Sequence, residues 1–363
     1  MATNSPPPDV AAAAAAAAAN PTAPGPETPA TPHLSGSGAI EAAPVTGDED
    51  DDFDDADSAI GYAPSSTASL SSSILEYRAI QGRTYHSARH ATDYFTPNDD
   101  RAQDSVDLTH HYFTILLNGK LSIAPIGKDV KSVLDVGTGT GIWAIDFADT
   151  HPGTEVTGTD LSPIQPSWIP PNLKFEIEDA TLPWTFNDDT FSFVHMRYLF
   201  GGIRDWNHLY DQAYRCCAPG GWLQSCELDA AMLSDDGTAD KNYAIDRWNE
   251  LFDLAGKKIG NSFTVVADDL QRTGIEKAGF KDVTIPMGGW ALDPTLKEVG
   301  RIALTALLND IQGYTLMLWH DVVQWPKEEY EVFLMALRKA MKDRAIHSYM
   351  RARFVYGRKP EDT

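Results

Sequence analysis

Between residues 131 and 228 the apolar positions switch repeatedly between short unbroken runs, suited to buried strands, and repeats of three and four, suited to helices. Val133, Leu134 and Val136 predict a strand covered on both faces, which stops at Gly137, Gly139 and Gly141. Ile142, Ile145 and Ala148 follow at helical spacing, so a helix begins directly after the third glycine. The same reading predicts strands at 155–159, 173–177, 191–195 and 222–228, with a helix at 206–216 before the fifth strand. Val283 and Ile285 mark a sixth strand after Gly279-Phe280, and Arg353 to Gly357 a last one. Strands that take turns with helices in this way build an α/β fold around a mostly parallel sheet.

Further helical patterns flank this unit. Leu108, His111, Tyr112 and Ile115 share one helical face, and the stretch 73–125 is expected to form a helical lid ahead of a domain spanning 126–363. Leu296, Val299, Ala303, Ala306 and Leu307, then Tyr330, Phe333, Leu334, Leu337 and Met341, predict a helical insertion at about 290–345 that covers the substrate side. Residues 239–278 read as helical segments broken near Gly256 and Gly260. Pro163 and Pro166 exclude a long regular helix from the second crossover.

The glycines turn the pattern toward chemistry. Lacking Cβ atoms, they let a ligand lie against the main chain while the helix start aims its free N–H groups at it. Their spacing, G-x-G-x-G shortly after Asp135, departs from the G-x-G-x-x-G of dinucleotide sites and argues against an NAD-dependent oxidoreductase. The second strand ends in Asp160, where a carboxylate can accept from both hydroxyls of a ribose, and the third leads to Asp179, placed to meet an adenine amino group. His195 ends the fourth strand as a candidate general base, with Arg197 beside it as an anion ligand; a packed structural histidine is the competing reading. Glu227 and Asp229 either line a substrate pocket or are solvated strand-end acids. Tyr85 and His86 either reach over the cofactor or pack within the lid, and Trp184 either stacks near an adenine or belongs to the core.

Composition removes residues 1–72 from the folded part. This stretch carries nine consecutive alanines, scattered prolines and eleven acidic residues with no Lys or Arg, and is expected to be a disordered spacer. Of the formal charge of −23, −11 sits in this tail and −12 in the rest. Neither part offers the cationic footprint that nucleic acid or an anionic membrane requires. Cys216, Cys217 and Cys226 form neither a disulfide framework nor a metal spacing, so no metal is expected. With no signal-like start and no apolar stretch of ~18 residues, a soluble intracellular protein is expected.

With an acid before G-x-G-x-G and acids at the next two strand ends, the chain resembles the class I S-adenosylmethionine (SAM) methyltransferases. Pro219-Gly220-Gly221 before the fifth strand is another feature of that class. Gly82-Arg83-Thr84-Tyr85-His86, Gly141-Ile142-Trp143-Ala144-Ile145-Asp146, Asp160-Leu161-Ser162-Pro163-Ile164-Gln165-Pro166 and Tyr356-Gly357-Arg358-Lys359-Pro360 are jointly similar to the LaeA-like fungal methyltransferases, over about residues 73 to 360. The resemblance implies a Rossmann-like, seven-stranded, mostly parallel sheet with an antiparallel edge strand. It implies SAM as the cofactor, whose ammonium and sulfonium suit acidic neighbours.

The resemblance carries cofactor binding onto Asp135, Gly137, Gly139, Gly141, Asp160 and Asp179, with Tyr85, Thr138, Leu161, Ala180 and His195 beside them. It supplies no catalytic residue. The Asn/Asp-Pro-Pro-Tyr tetrapeptide of many amino-group methyltransferases is absent, which leaves His195 and Glu227 as candidates. Methyl transfer can proceed largely by alignment of the nucleophile, so a missing base does not exclude activity. The resemblance further implies transfer to an oxygen or nitrogen of a small-molecule or protein acceptor in fungal secondary metabolism. Its alternative is a regulatory subunit acting through partners such as velvet proteins. Either role places the protein in the cytoplasm or nucleus, although no basic cluster marks nuclear import.

Overall fold

Gln81 and Gly82 both take positive φ, 47° and 82°, and close a two-residue turn between β1 (Tyr77–Ile80) and β2 (Arg83–Ser87). The lid expected to be helical therefore opens with an antiparallel hairpin, because this turn conformation matches the twist of paired strands. Helix begins later, at α1 (Asp100–Leu116), capped by the Asp99 carboxylate accepting from Ala102 N. The computed structural model describes residues 75–88, 90, 92, 94–285 and 294–361. The tail expected at 1–72 lies outside the described residues.

Arg83 makes the hairpin a clamp. Its Nε and Nη2 donate to Asp99 at 2.5 and 2.7 Å, while Nη1 and Nη2 donate to Asp310 at 2.7 Å each. The Asp310 side chain is only 3% exposed, so this triad joins the helix cap to the loop beyond the insertion's first helix in a nearly dry setting.

The sheet follows from alternating strands and helices: β3 (Ser132–Val136), α2 (Ile142–Thr150), β4 (Glu155–Asp160), β5 (Leu173–Ile177), β6 (Phe191–Arg197), α3 (Trp206–Cys216) and β7 (Cys217–Leu228). After β7 come α4 (Tyr243–Ile259), α5 (Leu270–Ala278), β8 (Lys281–Thr284), α6 (Pro294–Asn309), α7 (Lys327–Lys342) and β9 (Ala352–Arg358). The seven strands from β3 on are ordered β5-β4-β3-β6-β7-β9-β8. β5 to β7 pair in parallel, and β9 runs antiparallel between β7 and the short terminal strand β8. Strand alternation sends Val133 and Phe193 into one core with Trp143 and Phe147 of α2, and Leu134, Val136, Val194 and Met196 into the larger core on the other face.

Two expectations change in detail. α4 runs straight through Gly256 and ends at Gly260; one interior glycine costs a helix only about 1 kcal/mol, which packing of Trp248, Leu251 and Phe252 outweighs. Pro219-Gly220-Gly221 lies within β7 as a bulge, since Phe191 pairs with Cys217 and Phe193 with Trp222. The insertion is helical as expected, with a π-helical turn (Leu318–Val323) between α6 and α7; its residues 290–293 lie outside the described residues. α6 lies along α1, where Ser105 Oγ donates to Ala306 O at 3.2 Å and Arg101 Nε to Asn309 O at 2.6 Å. Among the described residues no helix is long and apolar enough to cross a membrane.

Candidate functional site

The strand order reverses between β3 and β6, and a crevice opens at the C-terminal ends of these strands. Register sets Asp135 of β3 beside His195 of β6, and the imidazole Nδ1 lies 2.7 Å from Asp135 Oδ1. Trp143 stacks on the ring, with centroids 3.7 Å apart and planes 6° from parallel. Burial lowers the His195 pKa and keeps the ring neutral, so Nδ1 donates to the carboxylate and Nε2 retains its lone pair. The other Asp135 oxygen accepts from Thr138 Oγ1 at 2.6 Å. Asp135 thus borders the crevice but spends both oxygens on ordering His195 and the glycine loop.

That loop is pressed against the chain leaving β6. Gly137 has φ +68°, and a Cβ there would stand 2.4 Å from Leu199 Cδ2. Gly139 N donates to Asp160 Oδ2 at 2.8 Å and Ser162 N to Oδ1 at 3.0 Å. Burial pushes the Asp160 carboxyl up to about 6, against the pull of these amides. Thr92 Oγ1 lies 2.9 Å from both oxygens of Asp179, and Thr181 Oγ1 donates to Oδ1 at 2.7 Å. Thr138, Leu161 and Ala180 complete this wall, with His86 and Asn98 opposite. Asn98 Oδ1 is buried and has no partner among the described residues. Asn98 and Thr92 stand alone in a loop without periodicity, so no signal in the sequence marks them.

Arg197, also in this wall, has no carboxylate partner among the described residues. Its Nη2 lies 3.2 Å from His110 Nδ1, and its guanidinium sits 5.5 Å from the centre of the Phe113 ring. Burial lowers its pKa. An arginine facing a crevice of acids gives a site for a ligand that carries both signs of charge.

Five expected residues fall elsewhere. Gly141 caps α2 outside the crevice, where its φ of +81° sets the turn. Tyr85 is fully buried and does not line the crevice; strand alternation gives that place to His86. Glu227 accepts from Leu199 N and Phe200 N at 2.9 Å each, so it positions the loop after β6 instead of facing a substrate. Asp229 likewise accepts from Val266 N and Ala267 N. Trp184 is core, with Nε1 donating to Ala180 O.

Burial pushes Glu227 up to about 8 from an ordinary 4.5, so the folded protein holds a proton that the unfolded chain releases between these values. Stability is therefore expected to fall as pH rises from 5 to 8, by at most about 4 kcal/mol from this group. Glu227→Gln, which keeps an acceptor for the two amides, should flatten that slope in urea unfolding at stepped pH.

Beyond Tyr198 lies a second cavity of about 450 Å³ between α1, α4, α6, α7 and the end of β7. Thr109 and Tyr198 line both spaces. Tyr198 has φ +67°, a conformation uncommon for an aromatic residue, and stands where the chain leaves β6.

Residues 108–285 match the family described as "Methyltransferase domain". Methyltransferase pytC of Aspergillus terreus is 37% identical over 302 residues, covering 82% of this chain and 92% of that protein. Secondary metabolism regulator LAE1 of Cochliobolus heterostrophus is 31% identical, covering 77% of this chain and 94% of that protein. The chain belongs to the LaeA-like methyltransferases. Protein-methionine methyltransferase laeA of Emericella nidulans, at 30% identity over 78% of this chain and 77% of that protein, is a further relative.

As a LaeA-like class I enzyme it uses SAM, which supplies an electrophilic methyl on a sulfonium. The crevice fits that group on its own chemistry. Acids suit the sulfonium, ammonium and hydroxyls, Arg197 suits the carboxylate, and Asn98 Oδ1 awaits a donor. Nine of the eleven cofactor residues read from the sequence line this crevice, Asp160, Asp179 and Gly139 among them, whereas Tyr85 and Gly141 do not.

Proposed function

We propose that the crevice between β3 and β6 holds SAM and that its methyl passes to an oxygen or nitrogen of a small molecule of fungal secondary metabolism. The convergence of Asp160, Asp179 and the glycine loop on one side of the strand-order reversal carries this reading. Asp160 accepts from the ribose hydroxyls, and Leu161 and Ala180 flank the adenine. Asp179 takes the adenine amino group, for which Thr92 must yield, since the crevice encloses only about 140 Å³ with Thr92 across it. Gly137 and Gly139 let the amino-acid part lie on the main chain, and Arg197 pairs with its carboxylate. Asp135 and Trp143 hold His195 with Nε2 free to take a proton from the acceptor.

The methyltransferase and regulator names of the relatives support a place in secondary metabolism. The regulator names also favour a second reading, in which the protein acts through velvet-type partners in the nucleus or cytoplasm. Incubation with methyl-labelled SAM and fungal metabolite extracts separates the two. Label in a small molecule, lost in Gly139→Arg, is expected. Intact SAM binding with no labelled acceptor and a stable velvet complex in pulldown would favour the regulatory role.

A further inference from the structure

The 450 Å³ cavity beside the crevice has a size typical of sites for small organic ligands. Among the described residues its lining contains no Asp, Glu, Lys, Arg or His. Phe113, Phe200, Trp248 and Phe252 offer ring faces, and Met232 and Met341 add adaptable thioethers. A charged guest would lose its hydration there with no counter-charge, so ionic acceptors are disfavoured.

Polar atoms gather at one end. Thr109 and Tyr198, which face both spaces, stand with Tyr112 and Tyr314 in the cavity wall, so four hydroxyl-bearing side chains gather where the cavity meets the crevice. Burial raises the pKa of each of the three phenols, so all stay neutral, able both to donate and to accept. The lining is mostly apolar, with the hydroxyl cluster where the cavity meets the crevice and Ser348 and Tyr349 elsewhere in its wall.

Resting on the SAM reading above, we infer that this cavity is the acceptor pocket and that the acceptor is a neutral, ring-bearing molecule presenting a phenolic or enolic hydroxyl to the Thr109, Tyr198 and Tyr314 cluster. In the reaction a C–O bond forms as the C–S bond breaks, the bonding pair stays on sulfur, and the hydroxyl proton passes to His195 Nε2 and from there to water. An alkylamine acceptor, cationic at neutral pH, is disfavoured by the same wall. Tyr198 is a positioning residue, held at the shared wall by its left-handed backbone and by the Glu227 contacts to the next two amides.

Gly300 of α6 offers a test that spares the crevice. It lines the cavity, and a Cβ there would meet nothing within 4 Å, so a side chain grows into open space. The full chain, saturated with S-adenosylhomocysteine, is titrated calorimetrically with 4-phenylphenol, with biphenyl-4-carboxylate and with N-acetylmethionine amide. The phenol is expected to bind at one site, the carboxylate at least roughly tenfold more weakly. Gly300→Leu should weaken the phenol by roughly tenfold or more while S-adenosylhomocysteine affinity holds within about twofold. If Gly300→Leu disturbs S-adenosylhomocysteine binding, Ala303→Leu on the same face takes its place.

Equal binding of phenol and carboxylate, preference for the methionine amide, or indifference of the phenol to both substitutions would overturn the assignment. Absence of S-adenosylhomocysteine binding by the unaltered chain would instead overturn the SAM reading.

Discussion

Asp160→Ala is expected to weaken SAM binding by about two to three orders of magnitude, since a buried carboxylate accepting charge-assisted hydrogen bonds is worth about 1.5–3 kcal/mol per bond. The residue does two things at once. It offers lone pairs to a ribose, and it accepts from Gly139 N and Ser162 N, which shape the loop on which the ligand lies. Its carboxyl is pushed up to about 6 by burial, so two pH effects of opposite sign follow. Binding of a ribose whose hydroxyls donate to the ionised carboxylate should weaken as pH falls below 6. The folded but empty protein holds a proton there that the unfolded chain releases, so this group's contribution to stability is lost as pH rises from about 4 to 6. Calorimetric titration with S-adenosylhomocysteine at pH 5 and 7.5, beside urea unfolding at the same two values, reads both. In Asp160→Ala both dependences should shrink.

Removing the Arg83 guanidinium with Arg83→Met should cost about 3–5 kcal/mol, because it leaves two carboxylates in a partly dry cluster without their counter-charge. Asp99 and Asp310 lie 2.5 to 2.7 Å from Arg83 nitrogens, and Asp310 also accepts from Gly313 N. The clamp connects the hairpin, the start of α1 and the loop after α6, so its loss loosens α1, which walls both cavities. Thermal unfolding should shift down by about 10 °C. Asp310→Asn should cost less, and the double variant less than the sum, since both break the same cluster. An unchanged midpoint in Arg83→Met would show the triad to be energetically idle.

Arg83 illustrates what was and was not legible in the residues. The segment Gly82 to His86 stands out as a family signature, yet its chemistry is mechanical: Arg83 ties the lid down, Tyr85 fills the core, and His86 alone reaches the crevice. The hairpin has a local signal, the residue-Gly pair Gln81-Gly82 between two short runs, but runs this short fit a helical lid as well as paired strands. The acids at Asp135, Asp160 and Asp179 were readable because parallel strands bring their C-terminal ends to one edge by construction. Which acid stays available to a ligand was not, since that depends on partners such as His195, 60 residues away in the chain.

Glu227 makes the same point from the other side. An acid at the end of β7 reads as a site residue, but its partners are two backbone amides after β6, and amides leave no mark in a sequence. The second cavity reads in the sequence only as a helical cover over about residues 290 to 345. Its uncharged wall arises where helices far apart in the chain turn their apolar stripes toward a shared space. The register of His195 against Asp135, by contrast, follows directly once β3 and β6 are known to pair.

Isothermal calorimetry of the purified chain with SAM and with its demethylated thioether, NAD serving as control, bears most directly on the crevice. One site for each of the first two, no heat with NAD, and loss of both signals in Gly139→Arg are the expected results. Saturating NAD binding, or the absence of heat with either sulfonium or thioether, would contradict it.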